Sequence, residues 1–184
     1  MSETILQPAD IVTERLRLRR FRRSDVALIE LYASNARVAR MTERIPHPYP
    51  PGLAANFVER VANGTADEIG WAIDAGAEAE AENGLIGTIM LRLPEPGVAR
   101  IGYWLAPAYW GTGYASEAAE ALVGFAERAG LREVTARVFQ DNPASVKVLL
   151  RAGFAYCGDG EAYSVARAAM VPTHNYRRPL GEAA

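Results

Sequence analysis

The chain has 184 residues, 49% of them hydrophobic, and 20 Lys and Arg against 22 Asp and Glu, for a formal net charge of −2. That length and apolar content suit one domain with an ordinary core, and the mildly acidic balance argues against a broad nucleic-acid surface. Cys157 is the only cysteine, so no disulfide framework can form within the chain. The stretch Met1 to Asp10 lacks a basic region followed by an apolar run, and no apolar span approaches the length of a membrane helix. The expectation is a cytoplasmic protein with no membrane or nucleic-acid partner. Lys147 is the only lysine; with the high alanine content this skew reads as coding bias and carries no function.

From Glu14 to Phe21, Leu16 and Leu18 alternate with Arg15, Arg17 and Arg19, the period of a strand with one face in water. Ser24 stands where an N-cap belongs, ahead of a helix carrying Val26, Ile29 and Tyr32. Pro46-His47-Pro48-Tyr49-Pro50-Pro51-Gly52 cannot continue a helix, because each proline lacks a donor and restrains its predecessor; an irregular loop is expected before a short helix from Leu53 to Ala62. The second strand is Ile69 to Asp74, with Trp71 in the core, and the third is Leu85 to Leu93. The acidic connector between them, Ala75 to Gly84, has no large apolar anchor and is expected to be mobile.

A fourth strand, Val98 to Leu105, leads into Tyr109-Trp110-Gly111-Thr112-Gly113-Tyr114-Ala115-Ser116-Glu117. Here two glycines open a helix whose small apolar face, Ala115, Ala118, Ala119, Leu122, Ala126 and Ala129, repeats at helical spacing up to Gly130. Such a turn is either a tight strand-to-helix connection or an anion site, since the first N–H groups of a helix have no internal partner and sit at the positive end of its dipole. A Walker-type loop needs Gly-Lys-Ser/Thr, where this chain has Gly113-Tyr114-Ala115. A dinucleotide fingerprint needs Gly or Ala at 116 and an acid closing the next strand, where this chain has Ser116 and a Glu133 that opens its strand.

The fifth strand is Glu133 to Phe139. Asn142 as N-cap and Pro143 at N1 then start a helix with Val146, Leu149 and Leu150 on its apolar face, ended by Gly153. The sixth strand is Phe154 to Cys157, and a seventh lies within Ser164 to Tyr176. Strands flanking two strand–helix crossovers give an α/β fold with one mixed sheet of about seven strands and helices on both faces.

Three stretches together resemble the GNAT superfamily of N-acetyltransferases, in its branch of RimJ/RimL-type ribosomal-protein N-terminal acetyltransferases: Ile101-Gly102-Tyr103-Trp104-Leu105-Ala106-Pro107, the glycine turn Tyr109 to Ala118, and Asp141-Asn142-Pro143-Ala144-Ser145 followed by Gly153-Phe154. The order of elements matches over 13–180, leaving 1–12 and 181–184 as terminal extensions. The superfamily places Gln or Arg where this chain has Trp110, a tryptophan usual for this branch, while Gly113 and Ala115 keep the pattern.

The resemblance implies acetyl-CoA as cosubstrate, no metal, and transfer to a primary amine on a protein N-terminus, an amino acid or a small molecule, by a monomer or homodimer. It places pyrophosphate over residues 111 to 116, namely Gly111, Thr112, Gly113, Tyr114, Ala115 and Ser116, beside Trp110. It splays the fourth strand from the fifth and lays pantetheine in the gap against backbone at Trp104 and Leu105, as an added strand would pair. It sets Ser145 near the sulfur as catalytic donor and Asn142 on the pantetheine arm; as sequence alone, the two are a helix cap and its N3 partner. The carboxylate that many relatives carry in the fourth strand is Arg100 here. Glu117, His47 and His174 are the remaining base candidates, or water serves, since a terminal amine titrates near 8. His47, Tyr49 and Arg100 are expected on the acceptor side, with the stretch Gly158 to Tyr163 walling the open end. The missing carboxylate leaves a second reading, a CoA-binding module without catalysis.

Overall fold

The computed structural model describes residues 9–63, 67–75 and 84–181. Within them lie eight strands, β1 (Ile11–Val12), β2 (Leu16–Arg19), β3 (Glu68–Ala75), β4 (Leu85–Glu95), β5 (Val98–Leu105), β6 (Glu133–Phe139), β7 (Ala155–Ser164) and β8 (Ala169–Pro179). The helices are α1 (Val26–Ala33), α2 (Ala36–Ala39), α3 (Leu53–Ala62), α4 (Tyr114–Arg128) and α5 (Pro143–Arg151). They cover a single sheet of order β1-β2-β3-β4-β5-β6-β8-β7. All neighbours are antiparallel except β5 and β6, which run parallel because α4 crosses between them.

Each sheet face has its own core. On one, Leu122 of α4 and Leu149 of α5 pack with Trp71, Ile73, Ile89 and Leu91. On the other, Ile29 of α1 and Val58 of α3 pack with Ala72 and Met90. Trp71 is fully buried, as expected; its indole N–H donates to Ala9 O at 2.9 Å and its ring meets Phe125 edge-on. β3 and β4 therefore read as near-continuous apolar runs, both of their faces being covered.

Several local expectations change. The alternation in β2 does not put one face in water: Arg19 is 3% exposed, held by Asp25 (2.8 Å) and Asp74 (2.5 Å). The second face of β2 is covered by the start of α1, and a guanidinium can be buried there because it is forked onto two carboxylates. Ser24 is not an N-cap. It lies in a 3-10 turn over Arg23–Asp25, and the Asp25 carboxylate takes the Arg22 N–H at 2.7 Å. In α5, Leu149 is buried, but Leu150 is 54% exposed.

The largest departure is at the C-terminal end. The sixth strand runs to Ser164 instead of stopping at Cys157, and it pairs with a long β8 that inserts between it and β6. As an edge strand β7 is mostly exposed, and its register shifts between Tyr156 and Gly158, so no apolar period marks it. The eighth strand is the two-residue β1, too short to register as a pattern. The connector expected to be mobile falls on 76–83, outside the described residues.

Candidate active site

The parallel strands β5 and β6 pair only from Val98 with Glu133 to Ile101 with Ala136. Beyond that they part, and the gap between Gly102–Leu105 and Arg137–Phe139 opens into a cavity of about 1180 Å³. The cavity passes through the sheet. It is lined on the α4/α5 side by Tyr103, Ser116, Asn142 and Ser145, and on the α1/α3 side by Tyr49, Phe57, Met90 and Trp104.

Which peptide groups face the gap follows from strand alternation. Ala106 N–H donates to Ile86 O at 2.8 Å across to β4, so Trp104, two residues earlier, also turns its peptide groups toward β4, and Tyr103 and Leu105 turn theirs into the gap. The Leu105 carbonyl is then occupied, because the Trp110 indole N–H donates to it at 2.8 Å. The free edge thus consists of the Tyr103 N–H and C=O and the Leu105 N–H. This shifts the sequence expectation of backbone contacts at Trp104 and Leu105: Trp104 contributes its side chain to the α1/α3 face instead. Trp110 clasps the glycine turn to the end of β5, with the Arg37 guanidinium 4.7 Å from its ring centroid.

At that turn Gly111 and Gly113 have φ of 76° and 87°, values that glycine adopts without a steric penalty. Gly113 is the N-cap of α4, and its carbonyl accepts the Glu117 N–H at 3.1 Å. Among the described residues no intramolecular acceptor takes the N–H groups of Gly111, Thr112, Gly113, Ala115 or Ser116, and Tyr114 N–H has only a long contact, 3.4 Å, to the Thr112 hydroxyl. The Thr112 hydroxyl itself donates to Tyr109 O at 2.7 Å, bracing the loop. With the helix dipole behind them, these donors suit an anion.

Arg15 buttresses the turn. Its guanidinium donates to Thr112 O (3.0 Å), pairs with Glu117 (2.7 Å) and lies over the Tyr114 ring. Glu117 also accepts from the Thr13 hydroxyl (2.6 Å) and the Arg15 N–H (2.8 Å). Burial pushes the Glu117 carboxyl up, but the Thr13 and Arg15 hydrogen bonds outweigh it and hold the group below its usual value. A carboxylate with all these donors fastens the β1–β2 connection to α4 and makes a poor base. Nothing in the sequence links Arg15 to this turn, since the contact spans about a hundred residues.

Asn142 is the N-cap of α5, its side chain accepting the Ser145 N–H at 3.2 Å, with Pro143 at N1. The Ser145 hydroxyl lies 2.6 Å from that of Tyr103. Burial pushes the Tyr103 phenol up, the Ser145 bond partly offsetting it, to about 12. At ordinary pH the phenol is protonated, and either hydroxyl can donate to the other; with Tyr103 as donor the serine's own hydrogen is free to point into the gap.

At the α1/α3 end, Tyr49 lines the cavity, its phenol pushed up first by burial and then by the Glu30 charge. Arg100 lines it too. The other candidates are not brought to the cavity lining. His47 is exposed and off the lining, Gly158 to Tyr163 lie in the edge strand β7, and His174 pairs with Asp159 at 2.7 Å away from the cavity. The carboxylates that do face the cavity, Glu43 and Glu68, have no motif to announce them. Glu68 is ion-paired with Arg60 and with Arg92 (3.2 Å); burial raises its carboxyl, but the two arginines outweigh this and lower it. Glu43 is held more loosely, 3.7 Å from Arg137. Its carbonyl accepts the Val165 N–H at the β7–β8 hairpin tip, 3.0 Å away.

The family model described as acetyltransferase (GNAT) domain matches residues 15–155. The chain is similar to the uncharacterised N-acetyltransferase YoaA of Bacillus subtilis (strain 168), 39% identical over 82 residues, 43% of this chain and 46% of that protein. It is also similar to the ribosomal-protein-serine acetyltransferase of Escherichia coli (strain K12), 41% identical over 76 residues, 40% of this chain and 42% of that one. These alignments span less than half the length of either relative. Among solved structures, RimL, a ribosomal L7/L12 alpha-N-protein acetyltransferase in complex with coenzyme A, superposes with a TM-score of 0.79 at 21% identity, covering 94% of this chain and 98% of that one. At that identity the likeness is one of fold.

Proposed function

The chain belongs to the GNAT acetyltransferase family, and we propose that it moves an acetyl group from acetyl-CoA directly to a primary amine bound beside it in a ternary complex. The observation that carries this reading is the gap between β5 and β6, which opens next to the unpartnered N–H groups at the start of α4. One end suits a pyrophosphate, and the edge at Tyr103 and Leu105 suits an extended amide-containing arm. The RimL structure, which holds coenzyme A, supports the same donor.

On this reading the thioester arm enters from the α4/α5 side and the amine from the α1/α3 side. The unprotonated amine adds to the thioester carbonyl, the carbon–sulfur bond breaks, and the thiolate takes a proton. Ser145, oriented by Tyr103, donates a hydrogen bond to the sulfur as its charge develops. Glu43 or water takes the proton lost by the amine; Glu43 is the better carboxylate because Glu68 is tied to two arginines.

Melting temperature tests the donor. Acetyl-CoA and CoA should raise it while NADH and ATP do not, since a ligand bound only by the native state stabilises that state. Equal shifts with all of them contradict the reading. Thiol release from acetyl-CoA with a panel of amines tests the transfer; binding without release toward peptides, amino acids, polyamines and aminoglycosides would favour a module without catalysis.

A further inference from the structure

Among the described residues the acceptor end of the cavity carries more positive than negative charge, and Arg100, half-buried on the sheet, is one guanidinium there without a carboxylate. Arg100 on β5 is the direct cross-strand neighbour of Arg92 on β4 and of Thr135 on β6. Arg137, two residues beyond Thr135, therefore lies on the same sheet face. Arg92 shares Glu68 with Arg60, and Arg137 faces Glu43. Among the described residues the Arg100 side chain makes no hydrogen bond and has no carboxylate within ion-pair distance, although it lines the cavity. Burial, and then the charges of Arg137, Arg92 and Arg44, weaken its hold on its proton, Glu43 acting in the opposite sense. A half-buried guanidinium among its own kind is a standing electrostatic cost that a bound anion relieves.

We propose that the acceptor is a primary amine that also carries a carboxylate or phosphate, and that the unpaired guanidinium of Arg100 binds this anion. The inference rests on the acetyltransferase reading and names the acceptor class of that site. A planar guanidinium matches either oxyanion with two parallel donors. A cationic acceptor such as a polyamine would instead meet repulsion from Arg100 with no anion to offset it. Arg100 lies three residues from Tyr103 along β5, roughly 10 Å at about 3.3 Å per residue, and its long side chain can reach back along that span. The anion and the amine thus belong to one small molecule or one terminal peptide unit.

The test measures thiol release from acetyl-CoA with paired acceptors: aminoalkyl carboxylates against matched amides, aminoalkyl phosphates against matched alcohols, and tripeptides with Glu or Gln in second position. Rates are referred to the unprotonated amine. The anionic member of at least one pair should have a kcat/KM ten or more times that of its neutral partner. Arg100→Lys should retain part of that preference, and Arg100→Glu should abolish or invert it while leaving the melting shift from acetyl-CoA intact. The three pair types separate carboxylate, phosphate and peptide sources. Equal or better turnover of neutral or cationic amines, or an unaltered preference in Arg100→Glu, overturns the proposal while the acetyltransferase reading stands. If no pair turns over, the acetyl-CoA complex is titrated with glutarate and inorganic phosphate. Stabilisation in the parent but not in Arg100→Gln supports the anion site, and none in either rules it out. Failure of the underlying reading looks different: no melting shift with acetyl-CoA and no thiol release with any amine.

Discussion

The hydroxyls of Tyr103 and Ser145 lie 2.6 Å apart, joining the free end of β5 to the first turn of α5 across the mouth of the gap. When the phenol donates, the serine hydrogen is left for the cavity. Ser145→Ala should therefore lower kcat by about tenfold to a few hundredfold while the KM for acetyl-CoA changes little, since a hydrogen bond to developing charge acts mainly in the transition state. Tyr103→Phe should reproduce the pattern more weakly. Steady-state kinetics at saturating acceptor decide it: a folded Ser145→Ala with parental turnover assigns the serine to the helix alone.

Tyr103 also sets an alkaline limit. Its pKa is about 12 in the folded protein against 10.0 ordinarily, so the folded state holds more protons between those values, and stability present below pH 10 is lost as pH rises through 12. Tyr103→Phe should flatten that part of the stability curve. Denaturant midpoints from pH 9 to 12 measure it, and parallel curves for parent and variant contradict the assignment.

Glu117 is one of the carboxylates that link stability to acid pH. Its folded pKa is depressed, so its contribution is present above its ordinary value of 4.5 and is lost as pH falls through the lower folded value. Glu117→Gln should be less stable than the parent near pH 7 and lose less on acidification. Melting curves from pH 7 to 3 would show the two converging; an unchanged gap at pH 3 would mean that the Thr13 and Arg15 contacts do not tie the β1–β2 connection to α4 energetically.

Gly113→Asp places a side chain at φ of 87°, with the new Cβ 3.3 Å from the Arg15 guanidinium. It adds a carboxylate where the free N–H groups converge. Acetyl-CoA affinity should drop tenfold or more by calorimetry in a protein that still folds. Unchanged affinity would place the phosphates elsewhere.

Arg167, at the β7–β8 tip, donates to Arg40 O at 2.8 Å and forks onto Asp141 at 2.8 and 3.1 Å. It staples the end of α2, which leads into the cavity-lining segment 41–46, to the turn that precedes α5. Arg167→Ala should raise the acceptor KM several-fold with little effect on acetyl-CoA binding; an unaltered acceptor KM would show that the loop holds its place without it.

The glycine turn and the start of α5, the proposed donor half of the site, were legible as local structure because they are built from local chemistry. Gly113 must adopt a left-handed conformation, Asn142 must cap α5, and Pro143 must follow it, so each role is written within a few residues. Of the proposed acceptor half, only Tyr49 and Arg100 were named from the sequence and line the cavity. Glu43, Glu68 and Arg137 reach the cavity from three separate segments, and Arg15 reaches the glycine turn from the bend between β1 and β2. Periodicity reports which face of an element is apolar, not which distant charge it meets. Arg19 misled for the same reason: alternation placed it in water, whereas Asp25 and Asp74 bury it. The extension of β7 beyond Cys157 escaped notice because an exposed edge strand with glycines carries no apolar period.

The central claim, that the parted edge of β5 and the start of α4 hold the acetyl donor, is tested most directly by residue-resolved amide hydrogen exchange with and without acetyl-CoA. Exchange should slow at Tyr103, Leu105, Ala115 and Ser116 together, and change little along β7. Tight binding that leaves those four amides exchanging as before, or protects another surface instead, would contradict the account.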